Sequence, residues 1–243
     1  MKTIVLITLL AALITVGLVK TFSFSKQQQL TELKQSKERG RLKWYAQMGK
    51  LQGNQQIVFR SGYVRYAVAK NLDEALHYYT LVKAKVIGSK AYAANPEDIG
   101  NSEDIETWYK LQITETLSQQ DVTNCQTCPP LRTPPADMLP LNKDEFLVPQ
   151  AGGEISIDGV KMISEDPEFP PFKTGDEYLL FLTLDMSKGV GALRMGPWGV
   201  YNIGVNETLT PVNKELEHPL KADITARSGD SVGRLRAHLK TRH

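Results

Sequence analysis

Period-two alternation of apolar and polar residues fills the middle of the chain, the pattern of strands with one buried face. Thr80, Val82, Ala84 and Val86 share one phase, and Lys83 and Lys85 the other. Within Thr107–Leu117, Tyr109, Leu111 and Ile113 alternate with Lys110, Gln112 and Thr114. Glu115 then falls on the apolar phase, the mark of a bulge, a barrel rim or a functional carboxylate. From Glu154 to Ile203, three further strand signals run almost end to end and organise the rest. Asp158-Gly159 suits a two-residue type I′ hairpin turn, because both central residues there need φ > 0. This turn sets Ile157 opposite Val160 and Ile155 opposite Met162, with Ser156 and Lys161 on the other face. Lys173–Asp176 makes a polar turn after Pro170-Pro171, and Tyr178–Leu182 is an apolar run suited to a strand buried on both faces. Gly196-Pro197 and Gly199 punctuate the entry to a last strand, Val200–Ile203.

Helical signals are few and short. Asn71, as N-cap, with Glu74 three residues on, opens a helix from Leu72 to about His77. Val232, Leu235 and Leu239 line one face of a helix beginning near Asp230, expected to dock on the body of the protein. In residues 26–52, Leu30, Leu33 and Leu42 are too sparse for a core-facing stripe, so this segment reads as a solvated helix or tether. A short strand pair fits Ile57–Val68 around Ser61-Gly62. The expected fold is mainly β: a small OB-like antiparallel barrel with a few short flanking helices and an N-terminal hydrophobic helix. Its expected divisions are a signal peptide or anchor over 1–23, a basic polar helix or linker over 24–70, the barrel over 71–213, and a basic arm over 214–243.

Charge divides the chain in the same way. Residues 1–70 carry 12 Lys/Arg against 2 Asp/Glu, residues 71–217 carry 11 against 23, and residues 218–243 carry 6 against 2. An acidic body of net charge −12 thus lies between two basic arms. The body repels a phosphate backbone, so nucleic acid is not the favoured partner. The arms leave binding to nucleic acid or an anionic surface as a further alternative.

Behind Lys2, residues 4–19 form an uncharged apolar run suited to a cleaved signal or an uncleaved membrane anchor. Lys20, Lys26, Lys34 and Lys37 follow it against Glu32 alone, a bias that would hold this flank in the cytoplasm. Long domains cross membranes with less regard to charge, and export to the periplasm or exterior, or anchoring in the cytoplasmic membrane, is the expected localisation.

The span 121–145 holds five prolines and both cysteines, Cys125 and Cys128, and reads as an inserted loop. The pair suits a local disulfide in an oxidising compartment. A thiol-disulfide redox centre is the alternative, although Pro129-Pro130 stand where its helix would begin. A zinc half-site lacks partners, because His77, His218, His238 and His243 show no finger spacing. Glu165, Asp166 and Glu168 beside Asp158 form a loose acidic loop without the periodicity of a calcium site. With Glu115 and Trp198 they make up a candidate binding surface. Gly152-Gly153 permits close approach to a phosphate, but no phosphate-binding motif surrounds it. No metal, cofactor or catalytic constellation is indicated.

The succession LDEALHYYTLVKAKVI, WYKLQITETL, VPQAGGEI, PPFKTGDEYLLFL and GPWGVYNI, from Leu72 to about Leu209, resembles exported bacterial domains whose core is similar to the netrin module of metalloprotease inhibitors. The resemblance implies a five-stranded OB-type barrel. Those inhibitors insert an N-terminal cysteine into a protease zinc site, and no cysteine precedes Cys125, so inhibition does not carry over. The expected function is a non-catalytic interaction module, exported or tethered in the bacterial envelope, whose partner is a protein or another envelope component.

Overall fold

A computed structural model describes residues 25–36, 39–61, 66, 69–94, 103–120, 130–214 and 217–241. The apolar run at 4–19 and the pair Cys125 and Cys128 lie outside them. Among the described residues, no helix is long and apolar enough to cross a membrane.

Five strands close a small barrel of OB type: β2 (Thr80–Ala93), β3 (Ile105–Ser118), β4 (Glu145–Ala151), β7 (Glu177–Asp185) and β8 (Val190–Ala192). Around the barrel the order is β2-β3-β4-β8-β7 and back to β2; only the contact of β4 with β8, Leu147 opposite Val190, is parallel. The phases read from the sequence hold, since Val82, Ala84, Val86, Tyr109 and Leu111 enter one core with Phe146, Val148, Leu180 and Leu182.

The central strand β7 is buried from Tyr178 to Leu184. Tyr178, Leu180, Leu182 and Leu184 face the barrel interior. Leu179 and Phe181 face outward into a second core built with three helices: α3 (Leu72–Tyr78), α4 (Pro219–Ser228) and α5 (Val232–Lys240). Asn71 caps α3, its Oδ1 accepting the Glu74 N–H at 2.9 Å, while Glu74 Oε2 accepts the Lys70 N–H at 2.8 Å. The C-terminal helix α5 docks through Val232, Leu235 and Leu239, all buried.

The hairpin at Asp158-Gly159 forms in the expected register, with φ of 53° and 81° at its two turn residues. It is not part of the barrel. Its strands β5 (Gly153–Ile157) and β6 (Val160–Glu165) belong to a separate sheet, where β1 (Gln56–Arg60) joins β6 in parallel. The strand expected near Ile57 therefore finds a distant partner, while residues 62–65 lie outside the described residues. Val200–Ile203 is strand β9; with β10 (Leu209–Pro211) it extends the sheet beyond the closed ring.

The reading of 26–52 as a solvated tether is corrected in part. Residues 25–34 form an exposed helix, α1, but α2 (Leu42–Gln52) buries Leu42, Ala46, Met48 and Gly49. Ala46 and Leu42 share a core with Val160, Met162 and Ile105, so α2 covers the small sheet. Tyr45 joins them, its ring stacked on Phe59 with centroids 5.3 Å apart, and at Gly49 the approach is close: a Cβ there would stand 3.0 Å from Ile57 Cδ1 and 3.1 Å from Val160 Cγ1. Leu42, Tyr45, Ala46 and Gly49 fall at i, i+3, i+4 and i+7, one face of the helix.

Candidate functional site

The ends of β2, β3 and β4 and the residues after β8 surround a cleft, which the segment 130–138 crosses. One chamber, of about 300 Å³, is lined by Asp104, Glu106, Gln150, Phe169, Leu193 and Arg194 among others. A neighbouring chamber of about 540 Å³ lies between Tyr92, Trp108, Pro134, Pro135 and Asp137. Ala94, Glu106 and Arg132 border both.

Strand alternation puts Trp108 on the outside of the barrel while Tyr109 enters it. Leu131, Met138 and Leu141 pack against Trp108, Leu147 and Val190, which lays the proline-rich segment across the outer face. Two polar ties fix it. Arg132 is paired with Glu106, and Asp137 is paired with Lys90 and accepts from the Tyr92 hydroxyl at 2.7 Å. Lys90 and Tyr92 hold the Asp137 carboxyl below its ordinary range, the lysine contributing most.

The remaining carboxylates are engaged as well. Glu106 Oε1 accepts the Trp108 indole N–H at 2.9 Å. Asp104 accepts hydroxyl hydrogen bonds from Ser61 at 3.0 Å and Ser164 at 2.7 Å, and its own neighbour's N–H at 2.8 Å. Gln150 is buried; its amide donates to the Phe169 and Pro170 carbonyls, while its Oε1 has no partner among the described residues. Such a group costs about 1–3 kcal/mol. Among the described residues, the lining offers recognition surfaces, apolar walls with charges, and no nucleophile set beside a base.

The residues singled out in the sequence are scattered. Glu115 lies at the far end of β3 from the cleft, at a bulge, where the pairing of Lys83 with Glu115 gives way to Ala84 with Ile113. Its Oε1 and Oε2 accept from Arg236 Nε and Nη2 of α5, both at 2.6 Å. Asp166 Oδ1 accepts the Glu168 and Phe169 N–H groups at 2.9 and 3.1 Å, and its Oδ2 accepts from Tyr66 at 3.4 Å. Burial, reinforced by Asp166, pushes the Tyr66 hydroxyl pKa up. Trp198 is half-buried, its ring 5.9 Å from Tyr66 and 5.9 Å from His218. Tyr66, which lines the cleft, therefore joins Asp166 to Trp198; Glu165 and Glu168 are exposed nearby. Asp158 sits at the opposite end of β6, roughly 20 Å away at strand rise. Among the described residues, no group of three or more His, Cys, Asp or Glu could hold a metal ion.

Sequence reasoning passed over Glu106 and Arg132. Two signals were present: a carboxylate in phase with Trp108 on a strand, and the single cation between Lys110 and Lys143. Comparison with protein families, with curated proteins and with solved structures returned no significant match. Of the likeness to netrin-module domains, the structure shows the small barrel alone.

Glu115 carries a pH prediction. Hydrogen bonds from Arg236 outweigh burial and hold its carboxyl below the ordinary range. A depressed carboxylate stabilises the fold above its unfolded pKa, about 4.3, and this contribution is lost as pH falls through the folded value. Glu115→Gln is therefore expected to cost stability at neutral pH and to narrow the gap to wild type below about pH 4. Thermal melts of both proteins across that window check it; a constant gap would exclude the ion pair as the cause.

Proposed function

We propose that this chain is a non-catalytic interaction module of the bacterial envelope, exported or tethered by its N-terminal apolar run, and that the cleft beside segment 130–138 is its binding site. The carrying observation is the pair of chambers meeting at Glu106 and Arg132, where apolar walls converge on an ion pair whose carboxylate has both oxygens engaged. Pockets that join apolar walls to a few placed polar groups are the default binding sites of a fold. The partner is a protein or another envelope component, and the acidic body disfavours nucleic acid.

Site-specific photo-crosslinking in intact cells tests the reading. A crosslinking side chain at Thr133, exposed at the cleft, is expected to give a discrete adduct. The same group at Val205, exposed on the β9–β10 connection, is expected to give none. Equal labelling from both positions, or none from Thr133, would set the cleft aside.

A further inference from the structure

Glu106 and Arg132 are held very differently. The Glu106 side chain is 11% exposed on a barrel strand, and that of Arg132 is 58% exposed on the crossing segment. A buried carboxylate needs a cation or several donors, because water no longer solvates it. An exposed guanidinium gives up little on leaving, because water replaces its partner. The carboxylate is thus the fixed half of the pair and the cation the exchangeable half. The second tie of the segment, Asp137 with Lys90 and Tyr92, is exposed too. The segment also fills its groove incompletely, leaving the chambers of about 300 and 540 Å³ along it, one beside residues 130–132 and the other beside residues 132–137.

We propose that residues 130–138 are an internal occupant of a peptide groove, and that the external ligand is an extended, proline-containing protein segment whose arginine or lysine replaces Arg132 at Glu106. The proposal rests on the cleft being the interaction site, and it names the partner's chemistry. Three observations set that chemistry. Glu106 demands a cation, and a neutral side chain in its place would leave the buried charge unpaired. The acidic body, with net charge −12 over residues 71–217, draws a basic partner. Pro130, Pro134 and Pro135 of the resident segment line the groove, showing that a chain poor in N–H donors is accommodated without strand pairing.

The test uses the full chain in detergent and a fluorescent peptide with the sequence of residues 130–138, read by anisotropy. In Arg132→Gln/Asp137→Asn the ionic character of both ties is removed, with the shape kept at position 137. This variant is expected to bind the peptide about ten-fold or more tightly than wild type, because a larger fraction of grooves stands open. A peptide with glutamine for its arginine is expected to lose at least that factor, and adding Glu106→Gln to the protein is expected to erase the difference between the two peptides. Should the double variant fail to fold, wild type with excess peptide decides through the Trp108 indole N–H signal in NMR: it is expected to move with the arginine peptide and stay with the glutamine peptide. Equal binding of the two peptides, or binding of neither, overturns the proposal. A Thr133 adduct that persists in that case would leave the cleft as an interaction site for a partner of other chemistry; loss of the adduct as well would remove both readings.

Discussion

Removal of residues 230–243 is expected to lower the melting temperature by on the order of 10 °C or more. Val232, Leu235 and Leu239 are buried against Leu179, Phe181, Tyr201 and Leu209 on the outer face of the sheet. Burying one such aliphatic side chain contributes about 1.5–3 kcal/mol, and each kcal/mol shifts the melting point of a chain this size by about 2–4 °C. The deletion also removes the Asp230 carbonyl that accepts the Leu209 N–H at 2.8 Å, and the arginine shared by Glu115 and Glu207. Circular dichroism melts of the truncated and full chains measure the effect. An unchanged melt, with loss only of binding to anionic vesicles, would mean that the helix serves a membrane surface instead.

Gly153→Ala is the second large effect, about 3 kcal/mol of destabilisation from backbone strain and overpacking together. Gly153 has φ of 138°, and a Cβ there would stand 2.3 Å from Thr107 Oγ1 and 3.1 Å from Ala91 Cβ. That hydroxyl already donates to the Gly152 carbonyl at 2.8 Å. The glycine pair serves the passage from barrel strand β4 to the hairpin strand β5. Gly159 is the control: φ is 81° but nothing lies within 4 Å of a Cβ there, so Gly159→Val carries strain alone, about 1–2 kcal/mol. Urea unfolding of both variants ranks them. Gly153→Ala losing no more than Gly159→Val would show that the Thr107 contact is unimportant, and an unaffected Gly159→Val would dismiss the turn.

Local features were legible in the sequence because local physics sets them. Asp158-Gly159 dictated its own register, Asn71 and Glu74 their cap, and the uninterrupted apolar run Tyr178–Leu182 its burial on both faces. The break of phase at Glu115 marked a true bulge, although its partner Arg236 lies 121 residues away. Sheet membership was not legible. Nothing in EISIDGVKMI says that β6 will pair with β1 about a hundred residues earlier, because parallel pairing leaves no turn between the strands. The packing of α2 escaped because Leu30, Leu33 and Leu42 alone were weighed, whereas the stripe is Leu42, Tyr45, Ala46 and Gly49, half of it small residues. At the cleft, Glu106 and Arg132 looked like ordinary charges, since an ion pair between a strand and an inserted loop has no spacing rule. Trp198, Glu165, Asp166 and Glu168 were visible as residues, but only Tyr66 shows how Asp166 and Trp198 are joined.

Strand β7 gives the protein a particular order of assembly during synthesis. One face completes the barrel interior, and the other needs α4 and α5 to cover Leu179 and Phe181. The ring itself closes only once β8 has emerged, and the outer face, which α3 covers in part, is completed only when α4 and α5 are made. A growing chain therefore keeps part of its apolar surface uncovered until its last helices are made. A fragment ending at residue 213 would stop at that stage, a closed ring whose outer side only α3 covers.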